Sequence, residues 1–222
     1  MAFFAALGLR LNAERRSRSI KTLFNEEIDY MRHLILSALL MLGSYQAMAE
    51  TAVAHFAGGC FWCMESDYQG RDGVIDVVSG FTGGTLENPT YKGKHDGHFE
   101  AIEVTYDPSV VSYQELLDLF WVSIDPFDNA GQFCDKGFSY RSAVFPGNAE
   151  EKVLAQKSLE AVAARFPDQQ VHTEIRDANR FWPVEEYHQD YYLKNPVRYK
   201  YYRWNCGRDQ RLEEIWGKRE AH

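Results

Sequence analysis

"TAVAHFAGGCFWCMESDYQG", residues 51–70, holds a predicted strand, a sharp turn and a predicted helix. Residues 51–57 form the strand, which ends at Gly58-Gly59, where the backbone can turn sharply. The helix runs from Cys60 to Gln69 and is closed by Gly70. Cys60 therefore lies at a helix N-terminus, where free N–H groups and the macrodipole favour a thiolate.

The elements that follow predict a mixed fold. Strands are predicted at 73–81 and 98–106, on either side of a long loop, 82–97. His95 in this loop and His98 at its end are expected to be solvated. The other predicted elements are a helix from Ser112 with a capping box to Glu115, a strand at 140–145, a helix from Asn148 to Arg165, a strand at 171–175, a helix at 183–194 with Pro183 in its first turn, and a helix from Arg208 to Trp216. Strands interspersed with helices predict a two-layer α+β or α/β domain.

The first fifty residues carry a pattern typical of export. Residues 31–49, "MRHLILSALLMLGSYQAMA", have a short basic start, an apolar run over 34–43 and an Ala-x-Ala ending, as in a secretory signal peptide. The run is shorter than the ~20 apolar residues that a spanning helix needs. We therefore expect an exported, periplasmic protein, or a cytoplasmic one if the segment is not used. Residues 1–30 are interpreted as a misread start or an extension, and 50–222 as one catalytic domain.

Composition narrows the function classes. The formal net charge of −8 argues against nonspecific nucleic-acid binding, which needs a basic face. In an oxidising compartment, the four cysteines (Cys60, Cys63, Cys134 and Cys206) could pair as disulfides in three ways. No metal site is predicted, because no second Cys-x-x-Cys and no zinc-finger His pair follows. The Cys60–Cys63 pair alone still fits a redox dithiol, half a metal site or a structural bridge.

The strand at 98–106 offers an acid for chemistry at Cys60. Alternation places Glu100 on the more apolar face, with Ile102 and Val104, and Glu103 on the other face. An inward carboxyl in an apolar pocket has a raised pKa and can donate a proton near neutrality. Glu103 is predicted to be a surface charge. Phe61 and Trp62, beside Cys60, could wall a pocket for a small group such as an S-methyl.

Five stretches in the same order resemble the type A peptide-methionine sulfoxide reductases, which act on the S epimer of methionine sulfoxide in protein repair. The stretches are "GGCFWCMES", "GFTGGTLENPTYKGKHDGHFEAIEVTYDP", "SYQELLDLFW", "CDKGFSYRSAVF" and "YHQDYYLKNP". The resemblance implies a two-layer α/β sandwich around a mixed sheet, related to ferredoxin-like topology. It also implies oxidised proteins or peptides as substrates, with free methionine sulfoxide as a further candidate.

The resemblance implies a role for each matching residue. Cys60 is the nucleophile and Glu100 protonates the sulfoxide oxygen. The further residues are Tyr91 and Tyr140, which bind that oxygen, Asp135 beside them, and Phe61 and Trp62, which hold the methyl group. Attack leaves a sulfenic acid on Cys60, which a second thiol converts to a disulfide. A thioredoxin-like external dithiol then reduces this disulfide, and no bound cofactor is expected.

The chain departs from the commonest family pattern at Cys63, where many members have glycine. A thiol one helical turn from the sulfenic acid makes Cys63 the favoured resolving cysteine, with Cys206 as a possible relay and Cys134 without an assigned role. Two other functions stay open. One is an exported thiol–disulfide oxidoreductase that uses Cys60 and Cys63, and the other is a disulfide-stapled binding domain without catalysis.

Overall fold

The structure is a computed structural model that describes residues 51–218. The predicted signal segment, 31–49, and residues 1–30 lie outside this part. The strands are β1 (Ala52–Gly58), β2 (Val74–Thr82), β3 (Phe99–Tyr106), β4 (Gly131–Gln132), β5 (Asp135–Lys136), β6 (Ser142–Phe145), β7 (Glu174–Ile175) and β8 (Trp182–Pro183). The helices are α1 (Phe61–Tyr68), α2 (Tyr113–Val122), α3 (Ala149–Arg165), α4 (Tyr191–Lys194), α5 (Pro196–Asn205) and α6 (Arg208–Trp216). None of these helices has the length and apolarity needed to span a bilayer.

Six strands form one mixed sheet in the order β7-β6-β1-β3-β2-β8. The β6–β7 pair is parallel, and the other neighbouring pairs are antiparallel. β4 and β5 form a separate two-stranded hairpin. The prediction of an α+β fold around a mixed sheet is therefore confirmed.

The helices cover one face of the central strands with apolar side chains. Phe56 on β1 packs its ring on Tyr68 of α1 and Phe120 of α2, with centroids 5.5 and 5.4 Å away. The predicted capping box starts α2: Ser112 accepts the Glu115 N–H, and Glu115 accepts the Ser112 N–H at 2.8 Å. Burial of these aromatic rings fixes α1 against the sheet and so fixes the position of its N-terminus.

Strand β3 confirms the predicted parity at its acidic residues. Glu100 is 1% exposed, whereas Glu103 is partly exposed on the other face. Glu103 differs from a free surface charge, because His55 Nε2 lies 2.8 Å from its carboxylate. Phe99 and Ala101 are also buried, in a second apolar cluster that covers this face. Both faces of β3 are thus partly covered.

The helix predicted over 183–194 forms only in part. Pro183 does not start a helix: it lies in β8, at the sheet edge opposite Gly80, where a missing N–H is tolerated. The helix predicted over 183–194 is reduced to a 3₁₀ turn at Glu186–His188 and the single turn α4. Pro196 then starts α5, which was not predicted as a helix.

A glutamine side chain extends the sheet beside β8. The Ser79 N–H donates to Gln189 Oε1 at 2.8 Å, and Gln189 Nε2 donates to the Ser79 carbonyl at 2.8 Å. Gln189 therefore satisfies the backbone of an edge residue as a neighbouring strand would. The expectation for His98 was wrong, since this side chain is 0% exposed and contacts the Leu86 carbonyl at 2.8 Å.

Candidate functional site

A small cavity opens at the N-terminal end of α1. Its volume is about 60 Å³, room for a small group rather than a whole large side chain. It is lined by Cys60, Phe61, Trp62, Tyr91, Glu100, Asp135, Tyr140 and Tyr202. The structure thus brings together seven residues named from the sequence and adds Tyr202. Cys63 and Cys206, the predicted resolving cysteines, do not line it.

The turn before Cys60 requires glycine. Gly59 has φ +83°, and a Cβ there would lie 2.5 Å from Cβ of Gln132. After this turn, Cys60 is the N-cap of α1, as predicted, and its carbonyl accepts the Cys63 N–H at 3.1 Å. The backbone therefore presents Cys60 to the cavity and places Cys63 one turn away.

Glu100 lies beside Cys60 as a neutral acid. Its Oε2 accepts the Phe61 N–H at 3.1 Å, in the first turn of α1. Burial raises the pKa of this carboxyl to about 8, although the hydrogen bond from Phe61 opposes the rise. At neutral pH most Glu100 carboxyls hold a proton that a bound oxygen can receive.

The two thiols on α1 are buried and free. Burial raises the pKa of Cys60 well above its ordinary value, and the Cys63 contact and Glu100 add to the rise. The expected stabilisation of a Cys60 thiolate by the helix start is therefore outweighed in the resting site. The pKa of Cys63 is lowered to about 7, first by its hydrogen bond with Cys60 and then by Arg208 and Arg203.

Three oxygen-bearing side chains complete the polar wall. Burial raises the pKa of Tyr91 to about 12 and also raises that of Tyr140, so both phenols keep their protons. Neutral phenols can donate hydrogen bonds to a developing oxyanion. Burial likewise raises the pKa of Asp135, whose carboxylate accepts a short hydrogen bond from the Tyr202 hydroxyl.

Aromatic rings form the apolar wall. Phe61 is 1% exposed, and its ring centroid lies 6.2 Å from that of Trp62. The Trp62 Nε1–H donates to His188 Nδ1 at 3.2 Å, and the Trp62 ring stacks on Tyr191 at 3.8 Å and 8°. These contacts hold the indole in one orientation.

Three supporting residues were missed from the sequence. His188 and Tyr191 lie inside the stretch "YHQDYYLKNP", which is part of the family resemblance but gives neither residue a role. Tyr202 lies in an aromatic run with no spacing signal of its own.

The other two cysteines form a disulfide. Cys134 and Cys206 are bonded, with Cα atoms 4.9 Å apart, and the bridge joins the β4–β5 hairpin to the end of α5. Cys206 Sγ lies 3.9 Å from Asp135 Oδ2. Cys134, Asp135 and Cys206 are close enough together to suggest a metal site, but their bonded sulfurs are not free thiolates. In this state, Cys206 is not available as a resolving thiol.

The raised pKa of Glu100 makes stability depend on pH. Below its ordinary pKa of 4.5 the carboxyl is protonated in both the folded and the unfolded protein, so its contribution to the stability of the folded state is fully present. Between pH 4.5 and 8 only the unfolded chain loses the proton, so stability falls by up to about 1.4 kcal/mol per pH unit. We expect Glu100→Gln to flatten this fall, as measured by urea unfolding at pH 5 to 8.

Glu103→Gln is the control for that measurement, since its side chain is partly exposed on the other face of β3. A smaller slope should remain in Glu100→Gln, because burial raises the pKa of Glu65 to about 7. Parallel slopes in wild type and Glu100→Gln would contradict a neutral Glu100 in the folded protein.

Comparison with known proteins gives one consistent result. Residues 52–220 match the family described as peptide methionine sulfoxide reductase. "Peptide methionine sulfoxide reductase MsrA 2" of Caulobacter vibrioides is 47% identical over 196 residues, which cover 84% of this chain and 100% of that protein. "Peptide methionine sulfoxide reductase MsrA" of Bacillus licheniformis is 46% identical over 178 residues, which cover 78% and 98%. The solved structure of methionine sulfoxide reductase A of Corynebacterium diphtheriae superposes with TM-score 0.63 at 29% identity, covering 70% of this chain and 80% of that one.

Proposed function

The chain belongs to the peptide methionine sulfoxide reductase family, and on that premise we propose that it reduces the S epimer of methionine sulfoxide in oxidised proteins and peptides. The observation that carries this function is the cavity that joins Cys60 to the protonated, buried Glu100. A sulfoxide needs both a sulfur nucleophile and a proton for its oxygen, and the cavity offers both within one small space.

The site residues divide the reaction between them. The Cys60 sulfur attacks the sulfoxide sulfur while Glu100 gives its proton to the oxygen, with Tyr91 and Tyr140 donating hydrogen bonds to that oxygen. The protonated oxygen then passes from the methionine sulfur to the Cys60 sulfur, the bonds of the methionine sulfur to oxygen and to Cys60 break, and methionine leaves with Cys60 as a sulfenic acid. Phe61 and Trp62 hold the S-methyl group against the apolar wall.

Resolution of the sulfenic acid follows on α1. The Cys63 thiol attacks the Cys60 sulfur, water leaves, and a Cys60–Cys63 disulfide forms. The pKa of Cys63, about 7, gives it the thiolate character that this step needs. An external dithiol of the thioredoxin type then reduces the disulfide. Cys206 can take part only after its bridge to Cys134 is reduced.

The acid is tested by a pair of substitutions on one strand. We expect Glu100→Gln to lower turnover of the S epimer about 10²- to 10³-fold, because it removes the proton donor. Glu103→Gln, three residues on, should keep turnover close to wild type. The assay follows a methionine-sulfoxide peptide with the two epimers resolved and dithiothreitol as reductant. Equal rates for the two variants would remove Glu100 from the chemistry.

The other two interpretations have less support. An oxidoreductase that exchanges disulfides with proteins has no need of a carboxylic acid, whereas the cavity at Cys60 is lined by the buried Glu100. A binding domain stapled by two bridges needs both cysteine pairs oxidised, whereas Cys60 and Cys63 are free. Reduction of insulin disulfides without consumption of either sulfoxide epimer would favour exchange and overturn the proposed function.

The cellular location and the finer topology belong to the same proposal. Export through residues 31–49 would place the enzyme in the periplasm, and mass spectrometry of the mature protein should then find Glu50 at its N-terminus. A retained segment 1–30 would contradict this. The element order β1-α1-β2-β3-α2-β6, with spatial order β6-β1-β3-β2, supports a two-layer sandwich of ferredoxin-like topology.

A further inference from the structure

Tyr202 connects the nucleophile to Asp135. Its side chain lines the cavity and packs against the cluster that contains Cys60 and Cys63. The Tyr202 hydroxyl donates a short hydrogen bond to Asp135 Oδ2 and also interacts with the Cys60 thiol. Cys60, Tyr202 and Asp135 therefore form a continuous chain of polar contacts, which leads from the cavity towards the β4–β5 hairpin.

The contacts from Cys60 through Tyr202 to Asp135 offer a path for the proton that Cys60 loses in the proposed reaction. Burial keeps Cys60 a thiol at rest, so its proton must leave when the sulfur attacks. Glu100 cannot take this proton, because it is itself protonated and gives its own proton to the oxygen. Tyr91 and Tyr140 keep their phenol protons. Among the residues that line the cavity, Asp135 is the remaining carboxylate.

We propose that Tyr202 passes the Cys60 proton to Asp135 as the sulfur attacks, an inference that rests on the proposed reductase function. The Cys60 S–H bond breaks, and its proton goes to the Tyr202 oxygen. The Tyr202 hydroxyl proton moves to Asp135 at the same time, and the Cys60 electron pair forms the bond to the sulfoxide sulfur. Asp135 later releases its proton to solvent, and Glu100 takes one up, so no proton is gained or lost over the cycle.

The surrounding structure holds the three groups in this arrangement. Tyr202 and Cys206 lie one turn apart on α5, and the disulfide ties Cys206 to Cys134, the residue before Asp135. Arg203, the next residue after Tyr202, donates to Asp67 of α1 at 2.9 Å. Helix α5 is thus tied both to the β4–β5 hairpin and to α1, which keeps the Tyr202 hydroxyl beside the thiol and the carboxylate.

Several other charged or titratable groups act on Cys60, Tyr202 or Asp135 and contribute to any pH profile of the site. They are the loop residue Tyr91, Tyr140 before β6, Cys63 and Asp67 of α1, Glu100 of β3, Lys136 of β5, Tyr199 and Arg203 of α5, and Arg208 of α6. Tyr202→Phe leaves all of them in place and removes one hydroxyl. The variant therefore separates the effect of the Tyr202 hydroxyl from the electrostatic effects of the surrounding groups.

The first readout is the pH dependence of Cys60 alkylation by iodoacetamide, measured in the full chain with Cys63→Ser so that one free thiol reacts. We expect Tyr202→Phe to move the apparent pKa about one pH unit higher, because the thiolate loses a hydrogen-bond donor. Tyr201→Phe is the matched control, since this neighbour on α5 is 65% exposed and outside the cavity. Mass spectrometry checks that the Cys134–Cys206 bridge is intact.

The second readout is a single turnover of the S-epimer peptide without reductant. Tyr202→Phe should lower the rate constant about 10²-fold and leave the half-saturating peptide concentration unchanged. Asp135→Asn, which removes the proton acceptor and keeps the Tyr202 hydroxyl, should lower the single-turnover rate constant to a similar extent, and the double variant should lose no more than either single one.

An unshifted alkylation profile, or an unchanged single-turnover rate, overturns the proposal. If Tyr202→Phe fails to fold, the single-turnover rate constant of Asp135→Asn decides: an unchanged rate constant overturns the proposal. A wild type that forms no methionine defeats the proposed function, while the alkylation profile still tests the link from Tyr202 to Cys60.

Discussion

Cys60→Ser should abolish reduction of methionine sulfoxide, with a loss of about 10⁵-fold or more, because a serine hydroxyl cannot replace the sulfur nucleophile. Cys63→Ser should behave differently. Without reductant it should form one methionine per enzyme at close to the wild-type rate, as the wild type does, but it should leave Cys60 as a sulfenic acid, because the nearest resolving thiol is missing. The measurement is a single turnover without reductant, followed by mass spectrometry of Cys60.

The modification found on Cys60 decides between the resolving cysteines. A 1,3-dione reagent should trap the sulfenic acid in Cys63→Ser and find none in wild type, where Cys63 has consumed it. A disulfide between Cys60 and Cys206 in the variant would instead assign resolution to Cys206. That outcome would require the Cys134–Cys206 bridge to open during the reaction.

Arg208→Met should lower the free energy of unfolding by about 3–5 kcal/mol. Arg208 is 2% exposed, donates to the Ser123 carbonyl at 2.7 Å and to the Gly58 carbonyl at 3.4 Å, and lies 3.6 Å from Asp67. Methionine can fill the space but leaves these oxygens without their donor, and a buried unpaired acceptor is costly.

Arg211→Met is the control on the same helix. The Arg211 side chain is 42% exposed and pairs with Asp125 at 2.7 Å, and an ion pair of this exposure contributes about 1 kcal/mol or less. Equilibrium unfolding in guanidinium chloride, with the disulfide intact, should separate the two variants clearly. Equal losses would mean that the burial of Arg208 adds nothing to stability.

The parts of the fold that could be predicted are those that depend on residues close together in the sequence. The Ser112–Glu115 capping box, the Asn148 cap and the alternation of β3 depend on neighbouring residues, and each placed its element correctly. Alternation in β3 also separated Glu100 from Glu103. Local sequence therefore predicted which of the two glutamates is buried.

The parts that could not be predicted depend on long-range packing. Pro183 resembles a helix start in sequence, but pairing with Gly80 places it in a strand. Cys134 and Cys206 are 72 residues apart, and spacing alone does not choose among three connectivities. The position of Tyr202 in the site could not be predicted for the same reason. Its contacts are with Asp135 and Cys60, which are distant in sequence and belong to two other parts of the fold.

The hydrogen bonds of Gln189 affect whether an extended polypeptide can pair with strand β2. Strand β2 packs behind the cavity wall at Phe81, whose ring centroid is 5.9 Å from that of Phe61. Along this end of β2, β8 and the Gln189 amide already use the backbone groups of residues 79–81. An unfolded polypeptide cannot add itself there as another strand, which is how many open edges capture peptides. Binding of an oxidised protein beside the cavity therefore cannot rely on backbone pairing with residues 79–81.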